Sequence, residues 1–407
     1  MLAVMDITVI ASAARDRWRG SDVDSRQAFP ATGNFDLSAN AFGPLQIHND
    51  DRVSPGAGFD MHHHQDAEIV TWVVEGNLRH RDSGGADVIL SPGMAQAISA
   101  GSGVSHAEVN AAGYTGKSFL RVVQMWLRPD SAGTEPRHCE GDFRDLISEP
   151  NELHLIAAGD NVTDVRGQLP RPLRIGTDNS RLRYVLLEHG SVRLPLSEFT
   201  HIYLLRGSAT VGSESLAEGD QARIVSSVSE TVAVSGDDAE LLIWSMADSP
   251  SIIETALELA VEAHRHDSRP GAHGEEAYIL HPERIAASVR NGGADEEVIA
   301  AALLHDVAED HPYLWSLHKE LLPERVVGVV EKLSRRDDET YAQFVDRAAA
   351  DPDSLVVKLA DVNDNLGSLD NLPRDTDEQR VRFNKLEARY QDALDTLLVK
   401  TDHTFRP

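Results

Sequence analysis

Cysteine is almost missing from this chain. Cys139 stands alone among 407 residues, which excludes an internal disulfide and points to a reducing compartment, the cytoplasm. Basic residues are scarce as well, 38 Lys and Arg against 66 Asp and Glu. The resulting net charge of −28 repels a phosphate backbone, so nucleic acid is not an expected partner. Long apolar runs are also lacking: none approaches the roughly 18–20 residues that span a bilayer, so no membrane partner is expected. The opening MLAVMDITVIASAA has no basic start and Asp6 interrupts its apolar run, which argues against a secretory leader. ITVIAS reads instead as an edge strand. What remains, 41% hydrophobic and 26% charged, is the balance of a soluble globular protein, and its length predicts two or three domains.

From about residue 40 to 127 the chain shows short apolar runs cut by Gly, Pro, Asp and Asn. AEIVTWVVEG, DVILSPG, AQAISAG and FLRVVQMWL follow at the spacing of an all-β barrel or sandwich. After LRPDSAGTEP a second β-rich stretch runs through ELHLIAA, LRYVLLEHG, FTHIYLLRGSATVG, DQARIVSS and AELLIWSMA. VVEGNLRH…LSPGMAQAIS and LLRGSATVG…LAEGDQARIV echo each other as strand, Gly turn, strand, which predicts one barrel used twice. At about residue 249 the period changes to that of a helix. SIIETALELAVEAHRH offers Ser251 as an N-cap with Glu254 three residues on. PERIAASVR, DEEVIAAALLHDVAED, ERVVGVVEKLS, DETYAQFVDRAAA, SLVVKLADVNDNL and DEQRVRFNKLEARYQDALDTLLVK continue it as helices. Trp72, Trp126 and Trp244 lie in strands and read as core or rim.

Two constellations carry chemistry. In GAGFDMHHHQDAEIVTWVVEG, residues two apart on a strand face the same way, so His62 and His64 point to one side and His63 to the other. GSGVSHAEVN repeats the device with His106 and Glu108. A lone His-x-His is more often a surface feature, but two matched pairs give three imidazoles and a carboxylate, a set for a divalent transition metal with positions left open. These residues, with QIHNDDRVSP before them and LSPGMAQAIS between them, resemble the pirins and their bacterial relatives over residues from about 14 to 247. The resemblance implies two cupin jelly-roll barrels, with His62, His64, His106 and Glu108 as ligands to Fe2+ or another divalent ion in the first. The second barrel, where His189 and His201 stand alone, is expected to be metal-free. His63 departs from the family, which commonly has Pro there. Some relatives resemble quercetin 2,3-dioxygenases, which implies an aromatic small molecule and dioxygen as partners; others are iron- or redox-sensing regulators.

The second constellation is helical. VIAAALLHDVAED reads as one helix that places His305 near Glu309 and Asp306 near Asp310, a metal edge beside an acid/base edge. Asp and Glu at a helix C-terminus oppose its dipole, so a merely solvated acidic end is the weaker account. His281, just before Pro282, suits a first helical turn, and Asp361 and Asn365 lie one turn apart on another helix. His281, His305, Asp306 and Asp361 form a mixed N/O site for an ion such as Mn2+, with Glu309 and Asp310 free to deprotonate a water.

AHRHDSR…AYILHPERIA…AALLHDVAEDH…VVKLADVNDNL resembles the HD hydrolase domain of the RelA/SpoT type and of small alarmone hydrolases, over residues from about 251 to 400. The resemblance implies the same four ligands, Glu309 and Asp310 as the groups that handle the attacking water, Asn365 and Arg269 as nucleotide contacts, and lesser substrate roles for Lys358 and Tyr341. It also implies the reaction, removal of a 3′-diphosphate from (p)ppGpp. The approach SRPGAHGEEAYILHP is longer and more acidic than the family's. The expected fold is multidomain, β then α: a metal-binding cupin at 1–130, a metal-free cupin at 131–248 and an all-α HD phosphohydrolase domain at 249–407.

Overall fold

A computed structural model describes residues 6–29, 36–164, 167–226, 230–249 and 251–404. The chain divides into two compact units, Met1–Pro250 and Ser251–Pro407. The first is all β. A seven-stranded sheet, in the order Arg137–Asp142, Met94–Ser99, Glu68–Glu75, Leu120–Leu127, Leu45–Val53, Val23–Gln27 and Asp16–Arg19, packs on a four-stranded one, Gly58–His64, Val104–Asn110, Leu78–Asp82 and Asp87–Leu90. Val53, Val73 and Val122 of the larger sheet meet Leu78 and Leu90 of the smaller. The other face of the larger sheet packs on the second barrel, where Trp72, Val123 and Met125 join Tyr184, Tyr203 and Trp244 in one buried cluster. Covered on both faces, Glu68–Glu75 is buried at seven of its eight positions. This is why EIVTWVVE reads as an almost unbroken apolar run rather than an alternation.

The second barrel is a nine-stranded sheet. One edge is Asp6–Ile10, paired antiparallel with Gln221–Val225, so the expected edge strand exists and pairs more than 200 residues away in sequence. The internal echo is looser than its sequence. In the first barrel Glu68–Glu75 and Leu78–Asp82 are separate strands on different sheets, whereas the matching LLRGSATVG continues one strand, Phe199–Val211. Gly207 adopts φ +80° and the register slips on either side of Arg206, so the glycine serves a bulge rather than a turn.

The second unit holds nine α-helices among its described residues: α1 (Ile252–Ala263), α2 (Leu280–Asn291), α3 (Glu296–Leu304), α4 (Val307–Asp310), α5 (Pro312–His318), α6 (Glu324–Leu333), α7 (Tyr341–Ala348), α8 (Pro352–Ser368) and α9 (Asp377–Thr404). Ser251 caps α1, accepting the Glu254 N–H at 3.3 Å. α3 is buried at seven of its nine positions and packs in one core with α1, α2 and α6. The unit is not purely helical: Ser268–Gly271 and Gly274–Ala277 pair as a hairpin, because SRPGAHGEEA has a glycine at φ +119° to turn the chain and no helical apolar face. The expected helix from Val298 to Asp310 is also two. α3 ends at Leu304, and His305 and Asp306 occupy the corner before α4. Among the described residues no helix is long and apolar enough to cross a membrane.

Candidate metal centres

The first centre lies on two antiparallel strands, Gly58–His64 and Val104–Asn110, which pair His62 with His106 and His64 with Val104. The three imidazoles gather, with ring centroids 4.6 Å apart for His62 and His64, 4.5 Å for His62 and His106, and 4.9 Å for His64 and His106. One ligand atom of each lies within 4.8 Å of the others. His62 Nδ1 sits 2.7 Å from the Asp60 carbonyl, to which it donates, leaving Nε2 its lone pair. His64 Nε2 and both ring nitrogens of His106 are buried without a partner among the described residues. Desolvation, then the neighbouring imidazoles, pulls His64 down to about 4 and His106 to about 3. Neutral, buried and unpartnered imidazole nitrogens are costly in isolation and are the donors a divalent transition ion takes, so the residues fit such an ion. His63 turns away, exposed, with Nδ1 3.4 Å from Ser105 Oγ.

Glu108 is reached after a register slip past His106. Its carboxyl is buried, accepts from Gln96 and, at 2.6 Å, from Gln124 Nε2, and is pushed up by burial to about 7. It groups with His106 and His80 rather than with all three clustered histidines; His80 Nδ1 is 4.0 Å from Glu108 Oε1. His80 escaped the reading of the sequence, although LRHRD alternates and buries Leu78 and His80. In the second barrel His201 is buried, 2.6 Å from Gln221 Oε1, and His189 is exposed beside Asp237. Neither joins a cluster of three ligand-type side chains among the described residues.

The second centre assembles from three helices. His281 is in the first turn of α2, His305 and Asp306 are at the corner between α3 and α4, and Asp361 is on α8. His305 Nε2 lies 3.0 Å from Asp306 Oδ2 and 3.9 Å from Asp361 Oδ1, and His281 Nε2 lies 3.7 and 3.4 Å from the same two oxygens. Each imidazole is oriented through its other nitrogen, His281 Nδ1 by Asp364 Oδ2 at 2.7 Å and His305 Nδ1 by the Ala302 carbonyl at 2.8 Å. Both Nε2 atoms therefore face the carboxylates, the outer-shell arrangement that metal-binding histidines use. Burial opposes a charge on His305, but Asp306 and Asp361 outweigh it and push the imidazole up to about 9. A buried carboxylate, Asp361, and a half-buried one, Asp306, thus demand a positive charge between them, and the set fits a divalent cation with N/O preference.

The surroundings assign tasks to the remaining residues. Tyr278 donates its hydroxyl to Asp306 Oδ2 at 2.7 Å. Lys358 is buried and donates to Asp361 Oδ2 at 2.7 Å, its ammonium over the Phe344 and Tyr341 rings at 4.4 and 5.7 Å. Lys358 and Tyr341, expected as substrate contacts, lie beside Asp361, where the ammonium is the counter-ion that this buried carboxylate requires. Asn365 Nδ2 donates to Asp361 Oδ1 at 2.6 Å, and Arg269 donates to Asn365 Oδ1 at 3.2 Å. Glu309 accepts the Arg335 N–H at 2.8 Å. Asp310 keeps the expected one-turn relation to Asp306, its N–H bonding the Asp306 carbonyl at 2.9 Å; burial, then Asp306 and Glu309, pushes its carboxyl up to about 6. Asp364, Arg284 and Tyr278 escaped the reading of the sequence. Asp364 follows Asp361 by three residues and so shares its helix face, which was the available signal.

Comparison with known proteins follows the division of the chain. The family model described as Pirin matches residues 13–127, and one described as HD domain matches residues 256–386. A Mycobacterium tuberculosis protein, provisionally named as a quercetin 2,3-dioxygenase, is 34% identical over 246 residues, covering 60% of this chain and 96% of that protein. The quercetin 2,3-dioxygenase of Escherichia coli K12 is 26% identical over 227 residues, 55% of this chain and 91% of its own. Among solved structures, a bacterial pirin of Escherichia coli in complex with nickel(II) superposes with a TM-score of 0.52 at 24% identity, covering 60% of this chain and all of that one. The β fold thus has its counterpart in known proteins, and the chain belongs to the pirin family through its first unit, with an HD domain as its second.

Proposed function

We propose that the chain is a metal-dependent phosphohydrolase acting on (p)ppGpp or a related 3′-phosphorylated nucleotide, joined to a pirin-like metal-binding bicupin. The convergence of His281, His305, Asp306 and Asp361 within 3.0–3.9 Å across its N–O pairs, with Asp310 one turn away, carries the reading. His281, His305, Asp306 and Asp361 would hold a divalent ion such as Mn2+, which would lower the pKa of a water and offset the phosphate charge. Asp310, raised to about 6, is poised to hold that water's proton near neutral pH, and Glu309 stands beside it. Water oxygen bonds to the 3′ phosphorus, the bond from that phosphorus to ribose O3′ breaks, and pyrophosphate leaves while O3′ takes up a proton. Arg269 and Asn365 line the approach as nucleotide contacts. The test is pyrophosphate release from ppGpp with Mn2+, beside nucleotides carrying 2′ or 3′ phosphates. Release that vanishes in Asp306→Ala supports the reading; turnover of another nucleotide alone replaces the substrate, and silence on all of them overturns it.

A second reading concerns the first unit and is favoured by its three clustered imidazoles together with the names of its relatives. There the unit is a quercetin 2,3-dioxygenase-like oxidoreductase taking an aromatic hydroxyl compound and dioxygen at an Fe2+ or similar centre, with Glu108 as a base. Flavonol-dependent oxygen uptake in the wild type that His62→Ala abolishes supports it. Absent uptake, with hydrolysis that changes on oxidation of the bicupin metal, favours an iron- or redox-sensing regulator instead.

A further inference from the structure

We propose that the helical unit binds a second divalent cation, held by His264, Asp267 and His311. The inference goes beyond the hydrolase reading, shares no ligand with the centre of that reading and does not depend on the substrate. His264 closes α1, Asp267 lies three residues on, before the hairpin, and His311 joins α4 to α5. Asp267 Oδ2 lies 2.9 Å from His264 Nδ1 and 2.8 Å from His311 Nε2. Neighbouring ligands about 2.1 Å from one tetrahedral ion stand about 3.4 Å apart, so a shift of about 0.5 Å of the half-exposed Asp267 carboxylate opens these separations to admit one. The two rings cross at 77° with centroids 4.8 Å apart, so their nitrogens reach the same oxygen from different directions.

The backbone fixes this cradle in advance. Asp267 N–H bonds the His264 carbonyl at 3.1 Å, Tyr278 N–H bonds the Asp267 carbonyl at 3.0 Å, and His311 N–H bonds the Val307 carbonyl at 3.0 Å. His264 is buried, while the side chains of Asp267 and His311 keep 39% and 27% of their exposure, leaving an open side for water or a ligand oxygen. The field is favourable as well: Asp306 bears on His264, and Asp310 on Asp267 and His311. Tyr278 connects the two centres, its ring against His264 at 4.6 Å and its hydroxyl on Asp306. Two imidazoles and one carboxylate suit a first-row divalent ion such as Zn2+, Mn2+ or Fe2+ with open positions.

The competing account is a hydrogen-bonded tie with no ion, in which each imidazole donates to the one oxygen. The two differ in metal stoichiometry. Full-length protein is stripped with chelator, dialysed against Co2+ or Mn2+, and its metal content measured per chain, with circular dichroism confirming the fold of each variant. Asp267→Asn and His311→Gln keep hydrogen-bonding groups of similar size, and each is expected to lose one ion per chain. His305→Ala is expected to lose one ion independently, and Asp267→Asn with His305→Ala two. A metal content equal to the wild type in folded Asp267→Asn and His311→Gln overturns the proposal. Failure of the hydrolase reading shows separately, as absent turnover in protein whose metal content is complete.

Discussion

At the scale of single residues, candidate ligands are easier to see in the sequence than the groups around them. His62, His64, His106, His281, His305, Asp306 and Asp361 stand out as ligand types placed by a strand or helix spacing. Asp364, Tyr278 and His80 do not, because each acquires its task from a partner distant in sequence: Asp364 lies 83 residues from His281, and Tyr278 28 from Asp306. Lys358 differs from these, because its partner Asp361 is only three residues away and shares its helix face. Asp364 makes a testable case. Its carboxylate orients His281 Nδ1 and is itself held by Arg284 Nε at 2.6 Å; despite burial, these two partners lower its pKa to about 2. Asp364→Asn keeps the shape but weakens that orientation, and outer-shell changes of this kind cost about 10–100-fold in metal affinity. Mn2+ titration of the stripped protein is expected to show that loss for one ion only, with the bicupin metal unaffected.

At the scale of elements, periodicity located most strands and helices and missed where local chemistry overrides it. The run from Val298 to Asp310 has the composition of one helix, yet the chain turns at His305 and Asp306, whose side chains converge with His281 and Asp361. The hairpin at 268–277 was invisible because it has four residues a strand and little apolar pattern. Where capping chemistry is explicit, the structure follows it. Asp351 begins α8, accepting the Ser354 N–H at 3.0 Å and pairing with Lys332 at 2.6 Å, and α8 carries Asp361, Asp364 and Asn365. Asp351→Ala is expected to lower stability by about 1 kcal/mol, read as a shifted unfolding midpoint in denaturant, while the ion count per chain stays the same. Turn glycines set a harsher limit in the first barrel. Gly101 adopts φ +46° and a Cβ there would stand 2.2 Å from the Thr134 carbonyl oxygen. Gly101→Ala is expected to displace the entry to the His106 strand, so it should reduce both unfolding stability and bicupin metal content, unlike the α8 cap variant.

At the scale of the whole molecule, the change from period two to period 3.6 lies where the chain divides, at Pro250 and Ser251. Both units pair buried charges, Arg121 with Asp50 and Lys358 with Asp361, and both bury histidines whose pKa burial lowers. Inside the β unit His48 is wholly buried with neither ring nitrogen partnered among the described residues, between His201 at 4.8 Å and Tyr203 at 4.6 Å, with Arg15 and Arg223 nearby. Desolvation, then His201 and Arg15, holds its pKa well below the ordinary value, and desolvation draws His201 down to about 3 despite its bond to Gln221. Such a histidine binds a proton more readily unfolded than folded, so stability is full above about pH 6.5 and is lost as the pH falls toward the folded pKa. At pH 5 each accounts for about 2 kcal/mol. Because neither ring nitrogen of His48 has a partner among the described residues, His48→Leu removes the proton site without stranding one. Denaturant unfolding of metal-stripped, full-length protein, followed by tryptophan fluorescence, is expected to show near-wild-type stability for His48→Leu at pH 7.5 and a gain of about 2 kcal/mol over the wild type at pH 5. Equal losses in both proteins between those pH values would mean that His48 accepts its proton in the folded state, and that the barrel interface tolerates the charge.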